Sequence, residues 1–425
     1  MSNNKRNKSI QQKKPEQVKI TMYDVGFGDC FLLTFSYAGG EKRHVLIDCG
    51  SSSEKKEHMT KVVDQLFKDS EGSVDAIVVT HRHKDHLSAF GLKGPGEKLG
   101  KLNPKIVIQP WTEHPEAKEE DLKPPTVFTG AVRHLKSPSA AQEFANYLVN
   151  YSDKILAAAG SRTLSQITRL ASLDIENKEA ILQLNKMCKK HAYVYNGSKS
   201  GLEKLLPGVR VSVLGPPTLA QTETIRSQTQ RHKEEFWELF NRLAAKSESN
   251  LATAKGKSEL FPRAQADPVA KSPSYVKWLI RKLDSAQLQN VQRIVRELDK
   301  ALNNTSIILL FEIGDKALLF PGDAQLENWQ YALEDQNLQK RLSKVEVYKV
   351  GHHGSTNATP RKKLWDLFKY RNTKKPRLIS LLSTRKGHHS EVPRESLVNT
   401  LNSETELHST EKFGRKLSED YEIRI

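Results

Sequence analysis

Three imidazoles and a carboxylate fall within one short stretch, Thr80-His81-Arg82-His83-Lys84-Asp85-His86, directly after the apolar run Ala76-Ile77-Val78-Val79. His81 and His83 are two apart, so an extended segment projects both from the same side. Asp85 and His86 follow as the chain turns, and can face a second point a few ångströms away. Nitrogen ligands with one carboxylate and no thiolate suit zinc, and also manganese or iron. The arrangement recurs downstream: one apolar run ends at Pro321-Gly322-Asp323, another at Gly351-His352-His353-Gly354-Ser355. Asp323 offers an acceptor-only carboxylate suited to bridging two cations, and Gly322 lets the backbone come close. Two divalent cations about 3.5–4 Å apart can stabilise both the attacking and the leaving oxygen of a displacement. The pKa of a coordinated water falls from near 16 to around 7. A nucleophile is then available at neutral pH without serine or cysteine, which makes hydrolysis the expected chemistry.

Such ligands meet only if the strands that carry them are neighbours with their ends at one cleft. The spacing predicts strands over 18–25, 31–37 and 43–49, with a hairpin at Ala38-Gly39-Gly40. Further strands are expected over 74–79, 105–108, 209–214, 306–311, 316–320, 345–350 and 377–382, with an edge strand over 417–425. Residues 54–68 have helical spacing, with Met59, Val62, Val63, Leu66 and Phe67 on one face. In Asp24-Val25-Gly26-Phe27-Gly28-Asp29, two glycines allow the bend that brings Asp29 towards a site. Asp48, at the end of Leu46-Ile47-Asp48-Cys49-Gly50, either holds a metal-bound histidine in position or caps the following turn.

At 425 residues the chain can bury a large core, and no apolar run is long enough to cross a bilayer. Three cysteines with no C-x-x-C pair argue against a disulfide framework and for a cytoplasmic setting, with Cys30 and Cys49 as small core residues. The expected organisation is a basic disordered tail over 1–17 and a first half of the β-rich scaffold over 18–112. A helical insertion then covers 113–205, followed by a core strand over 206–217 and a second insertion over 218–302. That insertion contains a Lys-, Ser-, Ala- and Pro-rich linker, 247–273, and the scaffold resumes over 303–425. From chain order, the insertions would cap the cleft and restrict substrates, or bind a protein partner. The formal net charge of +17 is uneven: fifteen basic residues stand against three acidic ones between Lys340 and Arg394. Such a field attracts polyanions, nucleic acid above all.

Asp48, His81-x-His83-x-Asp85-His86, Asp323 and His352-His353 together resemble the metallo-β-lactamase superfamily. More narrowly, Asp24-Val25-Gly26-x-Gly28-Asp29, Asn304-x-Ser306, Pro321-Gly322-Asp323 and His352-His353-Gly354-Ser355 resemble the soluble hydrolase domain of ComEC-type DNA-uptake proteins. The matching stretches, 18–112, 209–217 and 303–400, cover about half of the chain. The resemblance implies an α+β fold, a four-layer αβ/βα sandwich here carrying helical insertions, with the metal site at one edge between the sheets. It implies two divalent metal ions, zinc first and manganese second. His81 and His83 would bind one ion, Asp85 and His86 the other, and Asp323 would bridge them. One of His352 and His353 would complete the second position; His352 is favoured, and the strand register leaves His353 open.

Asp29, Asp48, Asn304 and Ser306 would support these ligands from behind, and Ser355, Lys386 and His388 would meet the substrate. His388 and His389 would contact a scissile phosphate or protonate the leaving group, or else form an exposed basic loop. Together with Asp85 and Asp323, His389 is the catalytic candidate. The superfamily's usual single histidine between the H-x-H-x-D-H string and the bridging aspartate has no clear counterpart, His114 being a weaker candidate. The membrane segments of the ComEC type are also missing, so a role in DNA uptake does not carry over. The expected activity is a phosphodiesterase or nuclease acting through a metal-bound hydroxide. The alternatives are a metallo-hydrolase of a cyclic nucleotide, lactone, lactam or thioester, and a non-catalytic metal-binding interaction protein.

Overall fold

The computed structural model describes residues 13–114, 127–128, 177–218, 221, 303–388 and 392–425. These fall in one of the two compact units into which the chain divides. The linker 247–273, most of both expected helical insertions and His389 lie outside the described residues.

The first sheet starts with β1 (Pro15–Tyr23), β2 (Cys30–Tyr37) and β3 (Lys42–Cys49), an antiparallel meander. After α1 (Lys56–Asp69), β4 (Ala76–Val78) adds in parallel to β3. Helices α2 (Lys84–Gly91) and α3 (Pro95–Gly100) then lead to β5 (Ile106–Pro110), parallel to β4. The two-residue β6 (Val127–Phe128) precedes α4 (Lys178–Met187) and β7 (His191–Val194), which pairs in parallel with β5. Residues 177–205, expected as part of a helical insertion, therefore contribute a strand and a packed helix to the scaffold. The strand is only four residues long and sits in polar sequence, which hides its alternation. Strand β1 begins at Pro15, inside the span expected as a tail.

The second sheet begins at β8 (Arg210–Gly215) and continues through the hairpin of β9 (Ile308–Ile313) and β10 (Lys316–Phe320). Helices α5 (Leu326–Ala332) and α6 (Gln336–Leu342) lead to β11 (Val345–Lys349), parallel to β10. Next come β12 (Ile379–Leu382), α7 (Glu395–Glu404) and β13 (Glu406–Ser409), both strands parallel to their predecessors. The chain finally returns to the first sheet as β14 (Ser418–Arg424), an edge strand antiparallel to β1. Among the described residues there are two sheets, of orders β14-β1-β2-β3-β4-β5-β7-β6 and β13-β12-β11-β10-β9-β8, and seven α-helices.

Alternation along each strand sorts the apolar side chains between two faces. Phe31, Val45, Ile47 and Val78 of the first sheet share one cluster with Phe311, Leu318, Phe320 and Val347 of the second, and Phe31 meets Phe320 edge-on at 5.8 Å. The opposite face of the first sheet, with Leu46, Ile77 and Val107, is covered by Met59, Val62 and Leu66 of α1 and Leu184 of α4. The opposite face of the second, with Leu310, Leu319 and Tyr348, is covered by Trp329, Leu338, Leu342 and Leu401. Strands covered on both faces are apolar throughout, which is why these runs do not alternate in sequence. Each fully buried side chain of this size contributes about 1.5–3 kcal/mol relative to exposure, enough to hold the strand ends in fixed register.

Candidate metal centre

Strands β3, β4 and β5 run parallel, as do β10, β11 and β12. At or just beyond their carboxyl ends stand Asp48 and Gly50 for β3, His81 with His83 after β4, and Asp323, His353 and Ser383 after β10, β11 and β12. Side chains on loops beyond the carboxyl ends of parallel strands are the usual builders of sites in such sheets. The backbone of Thr80 links the sheets here, its carbonyl accepting from the Ile307 N–H at 2.9 Å.

Two geometric devices bring the loops close. A Cβ on Gly28 would fall 2.6 Å from the Asp85 carbonyl, and the Asp29 N–H donates to that carbonyl at 2.9 Å. Gly322 has φ +55°, and a Cβ there would lie 2.8 Å from Thr80 Cβ. Glycine at both positions is a steric requirement.

The ligand atoms of Asp85, His86, Asp323 and His353 all lie within 4.8 Å of one another, and all four side chains are buried. Asp323 Oδ2 is 3.1 Å from His86 Nε2, 3.4 Å from His353 Nε2 and 4.0 Å from His81 Nε2. His353 Nε2 is also 3.0 Å from Asp85 Oδ2. Beside this group, His81 Nε2 and His83 Nδ1 are 3.0 Å apart. One carboxylate oxygen thus lies between a histidine pair and an Asp/His/His set.

The far nitrogens of two imidazoles decide whether these donors fit a cation. His353 Nδ1 lies 3.0 Å from the Ser383 carbonyl, an acceptor, so Nδ1 carries a proton and Nε2 is the nitrogen left to offer a lone pair to a cation. His86 Nδ1 is 2.8 Å from Asp48 Oδ2 with the same consequence. Asp48 also accepts from the Thr80 N–H and the Thr80 hydroxyl, both at 2.7 Å, while its backbone sits at φ +57°. Metal-binding histidines are held in this way, with the second nitrogen on a carboxylate or carbonyl. The donors present therefore fit a divalent cation.

Electrostatics point the same way. Burial, reinforced by His86 and His83, pushes His81 well below the usual imidazole range, so it is neutral as a ligand must be. Burial would also lower His86, but the carboxylates of Asp323, Asp48 and Asp85 outweigh it and raise that ring well above the usual value. His353 is likewise depressed by burial, yet Asp323 and Asp29 push it up to about 10. Burial would raise Asp323, but His86, His353 and Lys349 hold it well below the usual carboxylate range. The cluster is thus a buried set of carboxylates that demands positive charge, which protons on His86 and His353 supply when no cation is bound.

Of the two downstream histidines, His353 joins the cluster; the preference for His352 is corrected. Both residues adopt left-handed backbone, φ +46° and +50°, so the alternation of β11 stops before them. The buried ring is His353, while His352 is half-buried with its centroid 6.1 Å away. Asp29 is buried behind the cluster, 3.7 Å from both His86 Nδ1 and His353 Nδ1. Ser306 Oγ accepts from the Asp323 N–H at 3.2 Å. Asn304, expected beside it, instead turns towards α5: its Nδ2 donates to Glu327 at 3.3 Å and its carbonyl accepts from Asn328. His114 packs on Tyr193 at 4.7 Å and is in neither group of converging ligand atoms.

At the rim, Ser355 follows in the same turn, its N–H donating to the His352 carbonyl. The His388 Nε2 is 3.0 Å from Ser52 Oγ, and its ring is 5.1 Å from Phe27, which lies 4.3 Å from His353. Lys386 is exposed nearby, its backbone N–H on Glu411.

Two residues of the site escape sequence reasoning. Thr80 reads as no more than the end of a strand, and Lys349 as part of the surface charge. Lys349 is buried, its Nζ paired with Asp29, 3.2 Å from the Gly322 carbonyl and 3.5 Å from Asp323 Oδ1. The basic window divides across the fold. Lys340, Arg341 and Lys344 precede β11, and Lys369, Arg371, Lys374, Lys375 and Arg377 precede β12, so these lie towards the edge opposite the cluster. Arg361, Lys362 and Lys363 follow β11, and Arg385, Lys386 and Arg394 follow β12. Parallel strands send leading and trailing residues to opposite edges, which a count along the sequence cannot register.

The family model of the metallo-beta-lactamase superfamily matches residues 23–92. That stretch carries Asp29, Asp48, His81, His83, Asp85 and His86. The match supports the superfamily, and with the buried His/Asp cluster it supports a metal-dependent hydrolase. No curated protein matches the chain. Among the described residues, no helix is long and apolar enough to cross a membrane.

Proposed function

We propose that this chain is a metallo-β-lactamase-type phosphodiesterase that cleaves nucleic acid, with its two sheets and covering helices forming the four-layer sandwich of the superfamily. The observation that carries the reading is the position of Asp323 Oδ2 between the His81/His83 pair and the Asp85/His86/His353 set. His81 and His83 would hold one divalent cation, Asp85, His86 and His353 a second, and Asp323 both. When bound, such cations supply Lewis acidity towards a phosphoryl oxygen and a more acidic water. The chain's own part is orientation: Asp48 and the Ser383 carbonyl fix the two imidazole tautomers, and Ser306 fixes the Asp323 backbone. His388, steadied by Ser52 and Phe27, would give a proton to a departing alkoxide. Arg385, Lys386 and Arg394 supply positive charge for a phosphate backbone.

A second reading, a small phosphodiester such as a cyclic nucleotide, is favoured by the basic residues that the fold sends to the far edge. One panel separates them: single- and double-stranded DNA, RNA and cyclic nucleotides, each with added Mn²⁺ or Zn²⁺ and with chelator. Chelator-sensitive cleavage of a polymer, lost in His83→Ala, supports the first reading. Turnover confined to cyclic nucleotides supports the second. A purified His83→Ala protein with full activity would remove both.

A further inference from the structure

Lysine is almost never fully buried unless its charge is met. Lys349, the last residue of β11, shares the strand face of Val347, which points into the apolar cluster common to the two sheets. Its ammonium is ion-paired with the Asp29 carboxylate from the first sheet and donates to the Gly322 carbonyl at 3.2 Å and Asp323 Oδ1 at 3.5 Å, both from the second. The ammonium group thus takes one oxygen of the bridging carboxylate and leaves the other, Oδ2, aimed at His81, His86 and His353. Ser306 holds the same residue by its backbone, so two attachments fix the side-chain plane.

We propose that Lys349 is a positioning residue that makes Asp323 serve both donor groups through the single oxygen Oδ2, and that supplies a fixed positive charge to a pocket built around four aspartates. The proposal rests on the metal-centre reading above. A lysine retained only for packing would be replaceable by an apolar chain of similar length once its partner carboxylate is neutralised.

The test uses Mn²⁺ alone, titrated into metal-free full-length protein, for the unaltered chain, Lys349→Met, Lys349→Arg and the double variant Lys349→Met/Asp29→Asn. The double variant removes the lysine's charge together with that of its nearest carboxylate. Binding is followed by calorimetry, and pairing of the ions by the exchange-coupled signal in electron paramagnetic resonance. Expected is a coupled pair in the unaltered protein. In the folded variants the coupled signal is lost, and at least one equivalent binds about 10–100-fold more weakly, the scale of other residues that orient metal ligands. A double variant that binds two equivalents as tightly as the unaltered protein, with the coupled signal intact, overturns the proposal. If the methionine variants do not fold, Lys349→Arg decides: the charge is kept but the three-acceptor geometry is not, so an intact coupled signal there overturns it too. An unaltered protein that binds no Mn²⁺ overturns the metal-centre reading itself, a different result.

Discussion

Asp48→Asn should silence His86 as a ligand while leaving the fold standing. The native carboxylate accepts three hydrogen bonds, from the Thr80 N–H, the Thr80 hydroxyl and His86 Nδ1, at 2.7, 2.7 and 2.8 Å. Asparagine is nearly isosteric and tolerates the left-handed backbone found at this position (φ +57°). Its carbonyl can still accept from the Thr80 N–H. Its amide nitrogen must then face His86 Nδ1 as a donor, which forces the imidazole proton onto Nε2, the nitrogen aimed at Asp323. At about 0.5–1.5 kcal/mol per hydrogen bond, the one mismatched pair costs about 1 kcal/mol of stability. Loss of an orienting partner costs about 10–100-fold in metal affinity, which is about 1.4–2.8 kcal/mol of binding. Asp48→Ala removes all three hydrogen bonds and should cost about 3 kcal/mol of stability as well. Thermal denaturation gives the first quantity, and Mn²⁺ or Zn²⁺ titration against a competing chelator the second. ¹⁵N chemical shifts of the histidine rings, recorded with saturating Zn²⁺, report the tautomer directly. An Asp48→Asn protein that titrates like the unaltered one, with His86 still protonated at Nδ1, would refute the reasoning.

His353→Ala should weaken divalent-metal binding by about tenfold or more, whereas His352→Ala should leave titration curves nearly superimposable; equal effects would contradict the placement of the two rings. In protein kept metal-free with chelator, the His353 pKa is raised from 6.5 to about 10. The stability this adds is complete below about pH 6.5 and is lost as pH rises towards 10. Melting temperatures measured with chelator should therefore fall across that window, and saturating Zn²⁺ should flatten the fall. Removing Arg385 or Lys386 should reduce the salt dependence of polynucleotide binding by about 0.7–0.9 for each phosphate no longer neutralised. Lys374→Ala with Lys375→Ala, at the opposite edge, should leave that slope unchanged.

How much of this is legible in the chain itself differs residue by residue. His81, His83, Asp85 and His86 lie within one strand-to-helix turn, so spacing alone places them together. Asp323 can be read because Gly322 marks a backbone that must approach something, and the structure shows that it approaches Thr80. The choice between His352 and His353 is not legible: it depends on two consecutive left-handed residues, and alternation has no meaning beyond the end of β11. Lys349 is hidden because its partners, Asp29 and Asp323, are far away in sequence, and a lysine amid other basic residues looks like solvated charge. Strands β1 and β2 are recognisable by alternation, and β4, β5, β9 and β10 as short apolar runs. Strand β7 is not, because His191 and Tyr193 interrupt four residues that the sheet buries only through its neighbours.

Strand β14 closes against β1, and β1 leads straight into the turn that carries Asp29. The machinery is therefore stitched from residues near 29, 48, 81, 323, 353 and 383, and its outermost seam is sewn with the last strand described. Pairings so distant along the chain form late, after long loops have closed. A polypeptide ending before residue 321 would hold the histidine string without Asp323, Lys349 or His353 opposite it. Such a fragment would be inert, and capture of cations would mark a finished molecule.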